Sequence, residues 1–181
     1  MTVRAVGEFY HNFKLLRENA KNDLFLQVWA SDNLTRVFVL IAANYYESKV
    51  KEILREFFES KSSTSLIWQF SNSLIDYQFN SLFSWKDTTA NHFFQRFGET
   101  FTSIAKHDVK TRPELDEGVR AFLLIGRIRN DLTHKELVKV AMDKTIDEFY
   151  DLHKKALLFI NYLRRRLMEN VEIAPFWLQV E

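Results

Sequence analysis

The sequence contains no cysteine and, in 181 residues, only four glycines and two prolines. Without cysteine the chain can form no disulfide framework, thiolate zinc site or iron–sulfur cluster, and it has no cysteine nucleophile. So few glycines and prolines leave little of the turn chemistry on which β-hairpins depend, which argues against an all-β sandwich or barrel. The length and composition therefore predict one predominantly helical domain over residues 1–181.

Net charge and long apolar runs are also nearly absent. The 25 Lys and Arg residues almost balance 24 Asp and Glu, which gives a formal net charge of +1. No general positive field would therefore attract nucleic acid, and any such site must be local. The N-terminus lacks the apolar run of a signal peptide, and the longest apolar run, residues 37–43, is too short to span a bilayer. We expect a cytoplasmic protein with no membrane partner.

Aromatic residues, in contrast, are abundant: 17 Phe, 4 Trp and 6 Tyr make up 15% of the chain. One small core would not ordinarily hold so many rings, so some are expected to face a partner. The rings between Trp68 and Phe101 could stack on unpaired RNA bases, although their helical spacing favours core positions.

Apolar residues at intervals of three and four predict long amphipathic helices. The first covers residues 1–30, and the second runs from Leu34 to about Ser60 after two capping residues, Asp32 and Asn33. Two such helices joined by a short polar turn are expected to pack as an antiparallel hairpin.

An aromatic-rich insert, residues 61–112, is predicted to follow these helices. It comprises a weak helical segment over residues 62–77, a loop over 78–87 and an aromatic stretch that Gly98 interrupts. Pro113 then begins a helix that reaches about Leu132, and Asp143 caps a last long helix. An apolar tail, residues 171–181, is expected to dock on the domain.

The segment Arg127–His134, at the end of the Pro113 helix, contains the residues that could take part in a reaction. Asn130 and His134 are one helical turn apart on one face, and Arg129 lies on an adjoining face. If the helix ends or unwinds here, Arg129 and His134 can flank a shared groove.

This pattern resembles the HEPN superfamily, whose hallmark is Arg-polar-x-x-x-His at the end of a helix in a small all-α domain. Arg129, Asn130 and His134 match the hallmark, and the apolar-Ala-Ala-aromatic-x-Glu stretch, Ile41 to Glu47, supports it. The resemblance covers about residues 34–168. It implies an all-α, HEPN-like antiparallel helical bundle with long helices and an aromatic-rich insert.

The sequence looks much like stand-alone bacterial HEPN ribonucleases of the toxin and phage-defence type, which act as symmetric dimers. The resemblance thus implies RNA as substrate, a homodimer, and an antitoxin or other partner protein. HEPN toxins paired with minimal nucleotidyltransferase antitoxins also carry a Tyr two residues after the His. Glu136 stands at that position here, which argues against control by nucleotide attachment to that Tyr.

The motif suits RNA cleavage without a metal or cofactor, in which a 2′-hydroxyl attacks its own 3′-phosphate. His134 can act as general base or, when protonated, as general acid, because imidazole titrates near neutral pH. Arg129 can hold two phosphate oxygens, and Asn130 can orient the imidazole or donate to the phosphate. Arg127 and Lys135 are expected to contact RNA. One domain supplies one motif histidine, so an acid–base pair favours a dimer.

Three features admit a plainer interpretation. Cations in the last turn of a helix commonly satisfy its final carbonyls, which would account for the motif without catalysis. Glu47 and Asp131 are candidate supporting residues, yet Glu47 also forms an ordinary i,i+4 pair with Lys51. Arg164–Arg166 complement a helix dipole, or alternatively clamp an RNA backbone. A non-catalytic helical module for dimerisation or for binding a partner or RNA is the alternative function.

Overall fold

The computed structural model describes residues 3–62, 64–135 and 140–169. Within these residues there are seven α-helices and no β-strand, which confirms the predicted all-α class. The helices are α1 (Val3–Asn19), α2 (Leu24–Lys61), α3 (Ser65–Leu82), α4 (Asn91–Phe94), α5 (Glu99–Thr111), α6 (Pro113–His134) and α7 (Ile146–Met168), with a 3₁₀ turn at Gln95–Phe97. The predicted apolar tail, residues 171–181, lies outside the described residues.

The joint between the first two helices differs from the prediction. The helix predicted over residues 1–30 ends at Asn19, and α2 begins at Leu24 and continues unbroken through Asp32 and Asn33. Asp23 caps α2, because its carboxylate accepts a hydrogen bond from the Leu26 amide at 2.9 Å. The predicted break at residues 32–33 is wrong because polar side chains in mid-helix there bond within the helix: Asp32 pairs with Arg36 at 2.5 Å.

Two further boundaries need correction. The loop predicted over residues 78–87 is helical as far as Leu82, which closes α3, and only the remainder forms part of a loop. Thr145, rather than Asp143, caps α7: its hydroxyl and the Glu148 side chain form a reciprocal capping box. The predicted interruption at Gly98 is confirmed, since its φ of 89° separates the 3₁₀ turn from α5.

Helices α2, α6 and α7 form the centre of the bundle, and α6 packs most extensively against α7. α7 runs parallel to α2, because His153 lies beside Tyr46 and Arg164 beside Glu56. Both are antiparallel to α6, whose start shares a surface pocket with the end of α7. Gly118 allows the close approach of α6 and α7, since a Cβ there would lie 2.8 Å from a backbone oxygen of α7.

Most of the aromatic surplus lies in the core. Phe122 of α6 stands at its centre, with its ring centroid 5.4 Å from that of Tyr46, 5.0 Å from Phe83 and 5.2 Å from Phe159. These contacts tie α2, the loop after α3, and α7 to the motif helix. Burial of such large rings supplies much of the hydrophobic stabilisation.

The first half of α2 is apolar and only partly covered. An 18-residue window of this helix has a mean hydropathy of 1.2, enough by length and composition to cross a membrane, a test that core helices of soluble proteins also pass. Phe38 and Val39 in this half are buried in the core, whereas Phe25 and Trp29 are exposed.

His153 of α7 is a core histidine. Only 2% of its surface is exposed, its ring stacks on Tyr46, and its Nδ1 lies 3.0 Å from the Tyr46 hydroxyl. Burial lowers the pKa of His153 from 6.5 to about 4. The folded protein therefore holds this imidazole neutral at pH values where the unfolded chain protonates it.

We expect the free energy of unfolding to fall as the pH is lowered from about 6.5 to about 4. In this window the unfolded state binds the additional proton, so stability decreases towards acid pH, by on the order of 3 kcal/mol for His153. Urea unfolding at stepped pH measures the slope, with His153→Gln as the matched variant. An equal slope in both proteins would contradict the assignment.

Candidate active site

Arg129 is the centre of a polar cluster where α6, α2 and α3 meet. Its Nη1 donates to Oδ1 of Asn80 and to Oδ1 of Asn130, both at 3.1 Å, and its Nη2 donates to Oε2 of Glu47 at 3.1 Å. The guanidinium side chain is 20% exposed. It is therefore held on several sides and still reaches solvent.

Glu47 connects this cluster to a second cation. Its Oε2 accepts from Arg129, while its Oε1 lies 2.8 Å from Nζ of Lys51, one turn further along α2. Both interpretations of Glu47 from the sequence thus apply at once, since it forms the i,i+4 pair and also reaches the motif. Two cations and one carboxylate leave a formal charge of +1 at the cluster, which favours an anionic ligand.

The segment after α3 supplies one wall of the site. Nε1 of Trp85 donates to the backbone oxygen of Asn80 at 2.9 Å, which satisfies one of the last carbonyls of α3. The Trp85 ring lies on Gly126, where an added Cβ would come within 2.1 Å of the ring atom Cζ3. The absence of a side chain at Gly126 thus leaves room for the Trp85 ring. Trp85 in turn holds the backbone of Asn80, the residue that contacts Arg129.

These side chains line a narrow, solvent-open cleft. Its walls include Glu47, Asn80, Trp85, Arg129 and Asn130, and its free volume is about 10 Å³. That is roughly the space of one water molecule. A phosphate group would therefore bind at the mouth of the cleft, against the exposed edge of Arg129.

The hydrogen bonds described at the end of α6 do not come from the side chains of the motif: the Lys135 amide donates to the backbone oxygen of Asp131 at 2.9 Å. The Thr133 hydroxyl donates to the backbone oxygens of Arg129 and Asn130 at 3.0 and 3.1 Å. The guanidinium of Arg129 faces side chains of other helices, so the described contacts differ from those of a helix end that cations satisfy.

His134 is the last residue of α6 and is exposed. It follows Asn130 by one turn but does not line this cleft, so the described residues do not bring Arg129 and His134 together in the shared groove that the sequence predicts. Among the described residues its imidazole has no hydrogen-bond or ion-pair partner, whereas His153 is fixed in the core and His92 contacts a backbone oxygen at 3.2 Å.

The remaining candidate residues near the motif lie outside the cluster. Asp131 pairs with Lys135 at 2.9 Å across one turn of α6, so its described contact is with a cation at the surface and not with Arg129. Arg127 is exposed and has no acidic partner among the described residues. Arg127 and Lys135 are placed where a ligand could reach them from solvent.

The Arg164–Arg166 cluster is far from the cleft and engaged elsewhere. Arg164 pairs with Glu56, which lies nine residues beyond Glu47 on α2, or about 14 Å along the helix axis. Arg166 binds Asp108, as does the Tyr162 hydroxyl. These contacts favour the structural interpretation of the arginine cluster over an RNA clamp at this site.

Asn80 and Trp85 were not evident from the sequence, because the sequence predicts a loop where Asn80 occupies a helix. Gly126, in contrast, could have indicated from the sequence that another segment packs closely on α6. A glycine inside a helix costs about 0.5–1 kcal/mol relative to alanine, so one placed three residues before Arg129 indicates a close neighbour. Among the described residues no group of three or more His, Asp or Glu side chains is arranged to hold a metal ion.

Of three comparisons with known proteins, the one with family models gives a match. A search of curated proteins and a search of solved structures returned no match. The model of the RiboL-PSP-HEPN family matches residues 8–169, which extends the resemblance seen in the sequence from residue 34 back into α1. The match spans most of the chain and all of the cluster around Arg129, and the protein therefore belongs to the RiboL-PSP-HEPN family.

Proposed function

We propose that this protein is a metal-independent endoribonuclease and that Arg129, Asn130 and His134 perform the reaction. The observation that carries the proposal is the arginine held by Glu47, Asn80 and Asn130, together with His134 one turn beyond Asn130 on the same helix, whose imidazole no described residue engages. Metal-independent cleavage of RNA uses a cation that binds the phosphate oxygens and a side chain that transfers protons. Arg129 and His134 can fill these two roles. HEPN domains are often ribonucleases, and this supports the assignment.

In the proposed reaction, His134 removes the proton of a 2′-hydroxyl, whose oxygen attacks the adjacent phosphorus. A guanidinium has five N–H donors, and three of those of Arg129 have described acceptors, so two remain for the charged phosphate oxygens. The 5′-oxygen leaves and must receive a proton. A second, protonated His134 from a two-fold partner would donate it, with the two motifs facing across a common cleft.

The biological setting we propose is a cytoplasmic toxin or phage-defence effector, controlled by an antitoxin or another partner protein. The positive charge at the cluster supports RNA as the substrate. Arg127 and Lys135, near the motif on the exposed end of α6, would contact the RNA backbone.

The proposal is tested by incubating the purified protein with a labelled single-stranded RNA in EDTA. We expect the RNA to be cut and the same sequence carrying 2′-O-methyl groups to stay intact, because the methyl group removes the nucleophile. Activity must coincide with the protein peak in gel filtration. Cleavage that requires a divalent metal, or equal cleavage of both strands, would refute the mechanism.

If purified protein binds RNA or a partner but cuts no RNA, the alternative of a non-catalytic helical module stands. The specific observation in its favour is the exposed apolar surface on α3, where Phe70 is 67% exposed. Such surfaces commonly mark interaction sites.

A further inference from the structure

An apolar groove of about 560 Å³ lies between α3 and the end of α2. Phe57 and Phe58 of α2 line one side, and Phe97 of the 3₁₀ turn belongs to the same wall. Phe70 and Leu74 of α3 line the other side, and both are exposed among the described residues. An exposed apolar surface of this kind commonly marks a binding site.

Helix α7 ends at the same end of the bundle as this groove. Arg164 of α7 pairs with Glu56 of α2 at 3.0 Å, and the next two residues of α2, Phe57 and Phe58, line the groove. Because α7 runs parallel to α2, its last residue, Met168, lies about one turn further along. The chain that follows α7 therefore starts close to the groove.

The length of the chain after α7 suits this groove and no surface at the other end of α2. Twelve residues follow Glu169, and at about 3.3 Å per residue they span at most about 40 Å. The exposed apolar side chains at the start of α2, Leu24 to Trp29, lie at least 27 residues before Glu56, or about 40 Å along the helix axis. The end of α7 is further from them still, so the segment reaches the groove and stops short of the start of α2.

The composition of segment 171–181 also matches the groove. Eight of its eleven residues are apolar, three of them in succession from Phe176 to Leu178. Its two charged residues are glutamates, Glu172 and Glu181. Arg96 is the one charged residue among those described in the groove lining, and no described acidic side chain pairs with it. The segment and the groove are thus complementary in both apolar character and charge.

The covalent connection favours this segment over a second copy of the chain as the occupant. A segment joined to its site by a short stretch of chain binds at an effective concentration in the millimolar range. A second copy competes only at the concentration of the protein itself.

From the position of the end of α7, the reach of the segment and this complementarity, we infer that residues 171–181 bind the groove of their own chain and cover Phe70 and Leu74. The inference does not depend on the proposed function. Gln78 and Ser81 line the groove on either side of Asn80, which contacts Arg129. The bound segment therefore also supports the helix that supplies one wall of the cleft.

Thermal unfolding of variants of the 181-residue chain tests the inference. Phe176→Ser/Trp177→Ser should lower the melting temperature by roughly 4–8 °C, because two large rings lose their buried site. Phe70→Glu should lower it by a similar amount, since a charge in the groove displaces the segment. The combined variant should melt no lower than either, because both changes remove the same contact.

Gln69→Glu is the matched control, since it adds the same charge to an exposed position of α3 outside the groove. It should leave the melting temperature unchanged. An unchanged melting temperature in the Phe176→Ser/Trp177→Ser variant, or additive losses in the combined variant, would overturn the inference.

Crosslinking identifies the occupant directly. Because the chain has no cysteine, Gln78→Cys can carry a single benzophenone at the groove. Irradiation of mixed isotope-labelled and unlabelled protein should join it to residues 171–181 of the same chain, as mass spectrometry of the digest would show. His107→Cys is the control, because it is exposed and adjoins Asp108, which binds Arg166 near the end of α7. Equal yields from both positions, a crosslink to a second copy, or no crosslink to this segment would overturn the inference.

Discussion

Replacement of His134 by alanine should reduce RNA cleavage to the background level while the fold stays unchanged. General acid–base catalysis by one histidine contributes about 10²–10⁴-fold to a rate, and two copies of His134 would be lost from a symmetric site. His134 is exposed and has no described partner, so its removal should leave the circular dichroism spectrum and the melting temperature as they are. Initial rates in EDTA on the single-stranded RNA measure the effect. Equal cleavage by both proteins would show that the activity comes from another site or a contaminant.

Substitutions of two arginines on α6 distinguish an effect on catalysis from an effect on RNA binding in that assay. Arg129→Ala should lower turnover even at saturating RNA, because it removes donors that stabilise charge developing on the phosphate. Arg127→Ala should weaken binding, lower the slope of log affinity against log salt by roughly 0.7, and leave turnover nearly unchanged. If both variants altered affinity alone, Arg129 would be a positioning residue and the non-catalytic module would be favoured.

Gly126→Ala should destabilise the protein by about 3 kcal/mol, which combines overpacking with the loss of one hydrogen bond. The new Cβ would lie 2.1 Å from Cζ3 and 2.3 Å from Cε3 of Trp85, so the ring must move. That movement breaks the bond from Trp85 to the Asn80 carbonyl. Thermal unfolding measures the loss, at roughly 2–4 °C per kcal/mol for a domain of this size.

Gly7→Ala provides the matched control, since a Cβ on this α1 residue would have no atom within 4 Å. It should stabilise the protein slightly through helix propensity. In a Trp85→Ala background the clash disappears, so Gly126→Ala should cost little or become favourable. The same penalty with and without the Trp85 ring would contradict the proposed packing.

The helical class and the motif could be predicted because both depend on local sequence. Apolar spacing and the start of α6 at Pro113 follow from short-range rules, and Arg129, Asn130 and His134 are close together along one helix. The joint between α1 and α2 could not be placed in the same way. Asp23 and Asp32 are equally good capping residues in isolation, but in the folded chain Asp23 caps α2 while Asp32 pairs with Arg36 inside it.

The partners of Arg129 could be predicted only in part for a different reason. Glu47 could be identified from the sequence, as a carboxylate in the apolar stretch of α2. The contact between Asn80 and Arg129, in contrast, depends on how far α3 extends and on where Trp85 docks. Those are tertiary contacts between segments distant in sequence. Local propensity contains no information about them.

The Arg129 cluster also has a consequence for when the site forms. Its hydrogen bonds join Arg129 to Glu47 and Asn80, which are 82 and 49 residues earlier in the chain. Contacts of such long range form only after the intervening chain has been ordered. A nascent chain on the ribosome therefore has no assembled cluster until α6 has emerged and docked. Under the proposed ribonuclease function, this order of assembly would keep the growing polypeptide from cutting the RNA that surrounds it.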